Sequence, residues 1–456
     1  LVLDCVDQTW TRVHPDGTPP VARAGHTAVY DSTTDRMIVF GGRSDTGVLA
    51  DVWVLTKAVG LNYPAWVKLN PTGSAPSART NATAVYDPGT NRMIVHGGEN
   101  GASPAAALSD TYVLTNANGL GGTPAWTLLA PASAPPARTV HAAAYDRGSN
   151  RMMVFGGRSV PGDCTTSRSD VWVLANANGL GGAPVWTELS PTGTGPTARS
   201  HSGAAWDAPT GRLIVTGGDA CGSADLGTWL LANGNGLGGT PAWSALTPAR
   251  LPAPGWTLAR YAYDAEYRWL DAFGGMVSTA YVDTAYTLSP ADGSGASDWY
   301  GRNFYGTRPT PRAFHSMVLA PAQHTAVVFG GITASGRSRE VWRRALDRGP
   351  VLDVDGPPAP VVPTRTAFAL PPAPNPAVGV VRMAVDLARE QHLALEVFDV
   401  TGRRVAVIHD GVLPAGRHSF EWGGAVAGAS TSRAGVYLVR MAASDRTQVA
   451  RLVRVE

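Results

Sequence analysis

Cysteine, lysine and charge are all scarce in this chain. Its 456 residues hold three cysteines, Cys5, Cys164 and Cys221, and no CxxC or Cys/His pair has the spacing of a zinc site. Lys57 and Lys68 are the only lysines, and the other basic residues are arginines, a bias read as base composition of the source. Charged residues make up 16%, against a usual value of about 25%. That scarcity argues against a disordered chain, a coiled coil and a highly charged nucleic-acid binder. The arginines form no dense run that could track phosphates. No stretch approaches the roughly 18 apolar residues of a membrane span. No segment carries helical periodicity. GxSxG, HExxH, P-loop and dinucleotide fingerprints are missing from any fitting context. The chain starts at Leu1 with no basic n-region or apolar h-region, so either a leader has been removed or this is a fragment.

Glycine (53) and proline (35) are abundant, and the glycines are ordered. A Gly-Gly pair recurs six times, at Gly41, Gly97, Gly156, Gly217, Gly274 and Gly330, with a period of 56 to 61 residues. A tryptophan recurs with it: Trp10, Trp66, Trp126, Trp186, Trp243 and Trp299. Twelve or thirteen residues after a Trp stands Arg23, Arg79, Arg138, Arg199 or Arg312. Eight residues after the Arg come Asp31, Asp87, Asp146 and Asp207, and ten further on the Gly-Gly begins. Each unit reads as four short strands, for example HTAVYD from His26, RMIVFGG from Arg36, DVWVL from Asp51, and Trp66–Leu69. Four strands per unit, repeated radially, describe a β-propeller blade.

The Arg-x-x-His entry, the Gly-Gly after an apolar strand, the spaced aromatic and the later Trp resemble kelch repeats. The resemblance covers roughly residues 8–347 and implies an all-β, six-bladed propeller over 1–347. It says little about activity, because such propellers host many functions. In such a blade the first strand lines the axis and the Trp strand lies outermost. The last unit has no Trp strand after it, so Trp10–Val13 is expected to close blade six. The alternatives are Val351–Val354, or a truncated seventh blade of which Leu1–Leu3 is the stump.

Spacing locates the variation. From the second Gly to the aromatic of strand three the gaps are 11, 14, 15, 11, 11 and 11, so blades two and three carry the longer loops. Loops on a rigid scaffold are where recognition usually sits. The expected ligand-binding residues are therefore Arg43, Asp45, Glu99, Asn100, Arg158 and Asp163, with Trp256 at the channel mouth. Trp256 occupies the Arg slot of blade five. An exposed aromatic there could grip a sugar or peptide; a decayed repeat packing aromatics into its core explains the same residue. Arg23, Arg79, Arg138, Arg199 and Arg312 should ring the mouth, either holding an acidic ligand or bonding carbonyls to fix the blades. His26, His141, His201 and His315 read as structural, since positions on different blades rarely converge on one metal. Cys164 and Cys221 lie in the strand-two-to-three loops of adjacent blades and could form a disulfide, with two free thiols as the alternative and Cys5 left over. The Asn-rich turns such as Asn116–Thr123 lack calcium carboxylates. Some secreted kelch-type propellers are copper radical oxidases, which need a Cys–Tyr link with two His; the cysteines here are peripheral. No catalytic residue, metal or cofactor is expected.

After Leu346 the composition turns Pro-rich, a semi-rigid linker over 348–363. Residues 364–456 then give about seven alternating strands, the pattern of an Ig-like sandwich. Pro374-Asn375-Pro376, Val397–Arg403, Ala415–His418, Trp422, Gly435–Tyr437 and the closing Ala450–Val455 resemble the C-terminal sorting domains of the bacterial type IX secretion system and the Ig-like domain of flagellar hook-capping proteins. Where that family usually ends in Lys this chain has Arg451. The resemblance implies a secreted or surface protein handed to sorting machinery through 364–456. The leading expectation is a non-enzymatic propeller that binds a glycan or protein, with no nucleic-acid partner. An extracellular carbohydrate-active or oxidase-type enzyme and a structural, adhesive element are the rival readings.

Overall fold

RMIVF and its counterparts are apolar on both faces because both faces are covered. In the computed structural model of the chain, which describes residues 10–60, 63–252, 255–302, 307–346, 366–373, 377, 381–423 and 434–455, the first strands to form a sheet are Thr27–Asp31, Arg36–Phe40, Val52–Thr56 and Ala65–Leu69, antiparallel in that order. Met37 and Val39 pack with Val327 and Phe329 of the sheet before, while Ile38 and Phe40 pack with Met93 and Val95 of the sheet after. Alternation along a strand thus serves two sheet-to-sheet cores at once.

Five further sheets repeat the plan. Their first strands are Thr83–Asp87, Ala142–Asp146, Gly203–Asp207, Arg260–Asp264 and Ser316–Ala320. In the second sheet Thr72–Gly73 adds a short parallel fifth strand outside Ala125–Leu128. Each first strand neighbours those of the sheets before and after, and the sixth neighbours the first, so the first strands close a ring around an axis. Six cores lie between consecutive sheets, the last joining sheets six and one. Apart from single turns of 3-10 helix at Cys164–Thr166 and Pro321–Gln323, no helix occurs among the described residues.

The outer strand of the sixth sheet is Trp10–Val13, paired antiparallel with Val341–Arg344. Its Trp10 ring lies 4.6 Å from Phe273 of the fifth sheet. The same contact recurs around the ring: Trp66 on Phe329 at 4.9 Å, Trp126 on Phe40 at 5.2 Å, Trp186 on His96 at 4.9 Å, Trp243 on Phe155 at 6.0 Å. In these five sheets the outer Trp reaches the ring that ends the second strand of the preceding sheet. Such aromatic pairs bury large areas and lock adjacent sheets in angle.

Residues 1–349 and 350–456 form two compact units. In the second, Ala367–Ala373, Val381–Leu387 and Gly416–Trp422 make one antiparallel sheet; Arg404–Leu413, Gln391–Asp399, Gly435–Ala443 and Thr447–Arg454 make another. Alternate residues of both, among them Met383, Val385, Leu395, Val397, Val439 and Met441, share one core. The linker 348–363, Leu1–Leu3, Cys5, Val351–Val354 and Pro374–Pro376 lie outside the described residues.

Because the strand that closes the sixth sheet precedes the rest of the ring in the chain, losing its anchor should loosen both ends at once. Trp10→Ala is expected to lower unfolding free energy by about 3–5 kcal/mol. Urea denaturation of the 1–349 unit measures this, and an unchanged midpoint would show that the strand contributes nothing.

Candidate functional site

The repeated arginines build the scaffold of the channel's surroundings and are wholly buried. Arg23 donates from Nη1 and Nη2 to the two oxygens of Asp51 at 2.7 and 2.8 Å, from Nη1 to the Gly41 carbonyl at 3.0 Å and from Nε to the Val21 carbonyl at 3.1 Å. Arg79 repeats this on Asp110 (2.6 and 2.9 Å), and Arg138 on Asp170 (2.9 and 2.8 Å). Arg199 and Arg312 each hold one carboxylate oxygen, of Asp225 at 2.7 Å and Glu340 at 2.8 Å. None of the five lines the axial cavity, and each bonds carbonyls, as the structural alternative expects, rather than offering its fork to a ligand. Their forks are spent inside the protein, on backbone and on an acid that precedes strand three. Four of those acids stand two residues before the aromatic of strand three, the one spacing by which the sequence marks them.

Burial works to raise the carboxyls of Asp51 and Asp170, but the hydrogen bonds and charge of Arg23 and Arg138, with the indole donors of Trp53 and Trp172, outweigh it and hold both below the usual range. Glu340 behaves likewise through Arg312 and Trp342.

Each Gly-Gly pair passes the sheet's position on to its neighbour. The first glycine is left-handed, and at Gly41 (φ +66°) an added Cβ would lie 2.7 Å from the Arg79 carbonyl oxygen. In five of the six pairs the second donates to the Arg carbonyl of the next sheet, as Gly42 does to Arg79 at 2.9 Å and Gly331 to Arg23 at 2.9 Å. The residue after the pair is then fixed by backbone bonds to the segment entering the first strand. Arg43 exchanges bonds of 2.8 and 3.0 Å with Ala24, and Arg158 bonds of 3.0 and 2.9 Å with Thr139. The strand-two-to-three loops and the entry segments therefore share one face.

That fixed position reads Arg43, Glu99, Arg158, Asp219, Met276 and Ile332 around the ring. Four alternate in charge and two are apolar. Glu99 accepts from Thr139 at 3.1 Å and Asn81 at 3.3 Å. Burial pushes its carboxyl above the ordinary range, although those bonds and the charges of Arg43 and Arg158 pull it down. Arg158 pairs with Asp219 of the next sheet. Asp45 is exposed and pairs with Arg337 of sheet six. Asn100 accepts from the backbone of Ala102 and Ala106, and Asp163 from Thr165 at 2.9 Å, so these two shape their own loops. Cys164 and Cys221 are joined by a disulfide linking the loops of sheets three and four.

Trp256 does not stand at the mouth, and its proposed role there is corrected. It is 2% exposed, stacks on Tyr286 at 4.8 Å and meets Trp299 edge-on at 6.4 Å. The fourth sheet ends its second strand in Thr216 where others carry an aromatic or His96, so Trp299 finds its ring partner in Trp256 instead. On the opposite face the Asn-rich turns tie neighbouring sheets: Asn118, Asn178 and Asn235 donate to Asp31, Asp87 and Asp146 at 2.8, 2.7 and 2.8 Å.

The channel walls carry His26, His141 and His201 beside small residues of the first strands. His26 bonds Ser316 at 2.9 Å and His141 bonds Thr83 at 2.7 Å. Burial, followed by nearby arginine charge, depresses His26, His201 and His315 far below the ordinary histidine range; for His141 burial is followed by His96. His96 is lowered to about 3. Among the described residues no group of three or more His, Cys, Asp or Glu could hold a metal ion.

Against this geometry the chain can be compared with known proteins. A model of the KLHDC2/KLHL20/DRC7 Kelch-repeats domain matches residues 1–119. Adagio-like protein 3 of Oryza sativa subsp. japonica is 28% identical over 227 residues, 49% of this chain and 33% of its own length. Adagio protein 3 of Arabidopsis thaliana is 28% identical over 226 residues, 49% and 34% of the two chains. Host cell factor homolog hcf-1 of Caenorhabditis elegans is 37% identical over 101 residues, 20% of this chain and 13% of that protein. The chain thus spans about a third of the length of the Adagio relatives it matches. The solved structure of YjhT superposes with a TM-score of 0.50 at 15% identity, covering 71% of this chain and 94% of that one. The chain carries kelch repeats, and its fold is all-β and propeller-like.

Two outcomes follow from the buried groups. Arg138→Leu leaves Asp170 without its fork and should cost about 3–5 kcal/mol, much of it recovered in Arg138→Leu/Asp170→Leu; a double-mutant cycle in urea reads both, and equal losses in single and double variants would refute the pairing. Stability should also fall with acid in two stages. The five buried histidines have folded pKa values below their unfolded value of about 6.5, so the unfolded chain takes up protons first and stability declines as pH drops below it, by up to about 1.4 kcal/mol per unit for each. Asp51, Asp170 and Glu340 add a further loss below about pH 4, as their ion pairs are protonated. A urea midpoint flat between pH 7 and 5 would contradict the first stage.

Proposed function

We propose that the chain is a six-bladed, non-enzymatic interaction propeller whose loop-bearing face binds a protein partner. The observation that carries this is the run of residues after the Gly-Gly pairs. Arg43, Glu99, Arg158 and Asp219 alternate in charge over four consecutive sheets, while Met276 and Ile332 are apolar on the other two. Half-buried Leu258 and Phe314 extend the apolar side. A charged arc that sets register, beside an apolar arc that supplies buried area, is the division of labour of protein interfaces. The kelch-repeat match agrees with such a role. A glycan was the other partner expected, but its stacking platform was Trp256, whose ring is buried.

The loop residues then have distinct duties. Arg43 and Glu99 would meet the partner directly, with Arg158 held behind by Asp219. Asp45, Asn100 and Asp163 keep the loops in shape. We also propose that the seven-stranded unit over 366–455 is an Ig-like accessory domain that directs the chain to the cell exterior through sorting machinery. Its two sheets around one core and the motif resemblance support that reading, and the disulfide between Cys164 and Cys221 suits an oxidising compartment.

The test is a display screen of a protein library and a glycan array, both against the 1–349 unit, repeated with Arg43→Glu and with Glu99→Arg. A protein ligand whose affinity drops about tenfold or more in either charge reversal supports the proposal. Binding only to glycans, or a protein ligand indifferent to both reversals, would overturn it.

A further inference from the structure

The first residues of the six axial strands occupy equivalent places on the channel wall: Thr27, Thr83, Ala142, Gly203, Arg260 and Ser316. Five are small and one is a full-length cation. The cavity they enclose is about 150 Å³, and no Asp or Glu lines it.

Arg260 sits where the repeat breaks. In all six sheets the residue two places after the Arg slot is left-handed (Gly25, Asn81, Val140, His201, Leu258, Phe314), and in sheets one to four and six its backbone links neighbouring sheets. Gly25 donates to Phe314, Asn81 to Gly25, Val140 to Asn81 and His201 to Val140, at 2.8, 2.7, 3.2 and 2.8 Å. Among the described residues this circumferential chain is not continued through Leu258 of sheet five. There the Arg260 Nε donates to the His315 carbonyl at 2.9 Å instead.

That bond uses only one of the guanidinium's five N–H groups. No carboxylate among the described residues pairs with Arg260, and Nη1 and Nη2 have no partner there, although the residue is half-buried. A cation withdrawn from water without a counter-charge is costly. The imidazoles around it, His26, His201 and His315, carry no negative charge to offset it, and its own charge joins burial in holding them below the ordinary histidine range.

We infer that the axial channel is a binding site for a small carboxylate, held on the Nη1–Nη2 edge of Arg260. With Nε committed to His315, the remaining edge presents two parallel N–H groups, the fork that matches a carboxylate in two hydrogen bonds. A cavity of this volume accommodates a ligand of about six heavy atoms, as an engineered cavity of the same size does benzene. The site lies inside the channel and does not depend on a protein partner at the loop face.

The experiment titrates the full chain with acetate at constant ionic strength, chloride being the replaced anion, and follows heat and the histidine C–H resonances by NMR. Inorganic phosphate is titrated in parallel. The wild type should bind acetate saturably, with the His315 and His201 resonances shifting, and Arg260→Gln should bind about ten- to a hundredfold more weakly, as expected for losing a charge-assisted forked pair. No saturable acetate binding by the wild type overturns the site whether or not the variant folds. So does equal binding by Arg260→Gln, or a shift confined to histidines other than those beside Arg260. Phosphate binding as tight as acetate would overturn the carboxylate assignment. Should Arg260→Gln not fold, Arg260→Lys keeps the charge without the fork and must still bind acetate more weakly than the wild type.

Discussion

The fork between a buried arginine and an acid two to four residues before the aromatic of strand three is the constraint on which the propeller depends. It joins three parts of a sheet that are far apart in sequence: the entry segment, the Gly-Gly corner and the start of strand three. Arg23 spans all three with four hydrogen bonds. Because the Gly-Gly corner also donates to the next sheet's Arg carbonyl, each fork fixes its own sheet and the angle to its neighbour. A buried ion pair is weak evidence of net stabilisation, since hydrophobic replacement is often neutral or better. Its value here is geometric: a guanidinium with all three nitrogens committed admits one arrangement of the corner.

Sheet five provides the internal comparison. Its Arg slot is Trp256, and the position two before Tyr286 is Thr284, so both partners of the fork are replaced together. Trp256 stacks on Tyr286, closing the same gap by apolar contact. The corner bond into this sheet, from Gly218 to residue 256, does not occur among the described residues, and Tyr261 Oη occupies the space beside Gly217 where other sheets bring a carbonyl. The sheet keeps its strands and register without the fork. What changes is the backbone hydrogen bonding to the neighbouring sheets, and Arg260 enters the channel at that point.

Much of the scaffold was legible in the sequence, because repetition turns spacing into geometry. Six Gly-Gly pairs at near-constant intervals mark six corners, and apolar strands such as RMIVF mark cores on two sides. Burial was not legible at the arginines. A repeated Arg in a loop looks like a ring of surface forks until the acid that consumes it is found, and that acid's spacing was visible only beside the aromatic of strand three. Trp256 stands out as an exception in the repeat, but whether an out-of-frame aromatic faces water or core depends on what its neighbour lacks. Thr216, one sheet earlier, decides it. An arginine is ordinary in a strand, and Arg260 stands out only when aligned with Thr27, Thr83, Ala142, Gly203 and Ser316.

A scaffold this repetitive separates what must be constant from what is free to differ. The corner fixes the backbone of the next residue in every sheet, so side chains at 43, 99, 158, 219, 276 and 332 are presented at six set angles about one axis. Their chemistry is unconstrained by the fork, and it is there that the repeats diverge most sharply, from Arg43 to Ile332. The axial position is equally fixed, yet it tolerates only small residues where the circumferential backbone chain runs unbroken. A long cation fits at 260 because that chain is interrupted beside it. Loss of the fork in one sheet therefore has two consequences: a core repaired with aromatic rings, and a channel that gains a charge.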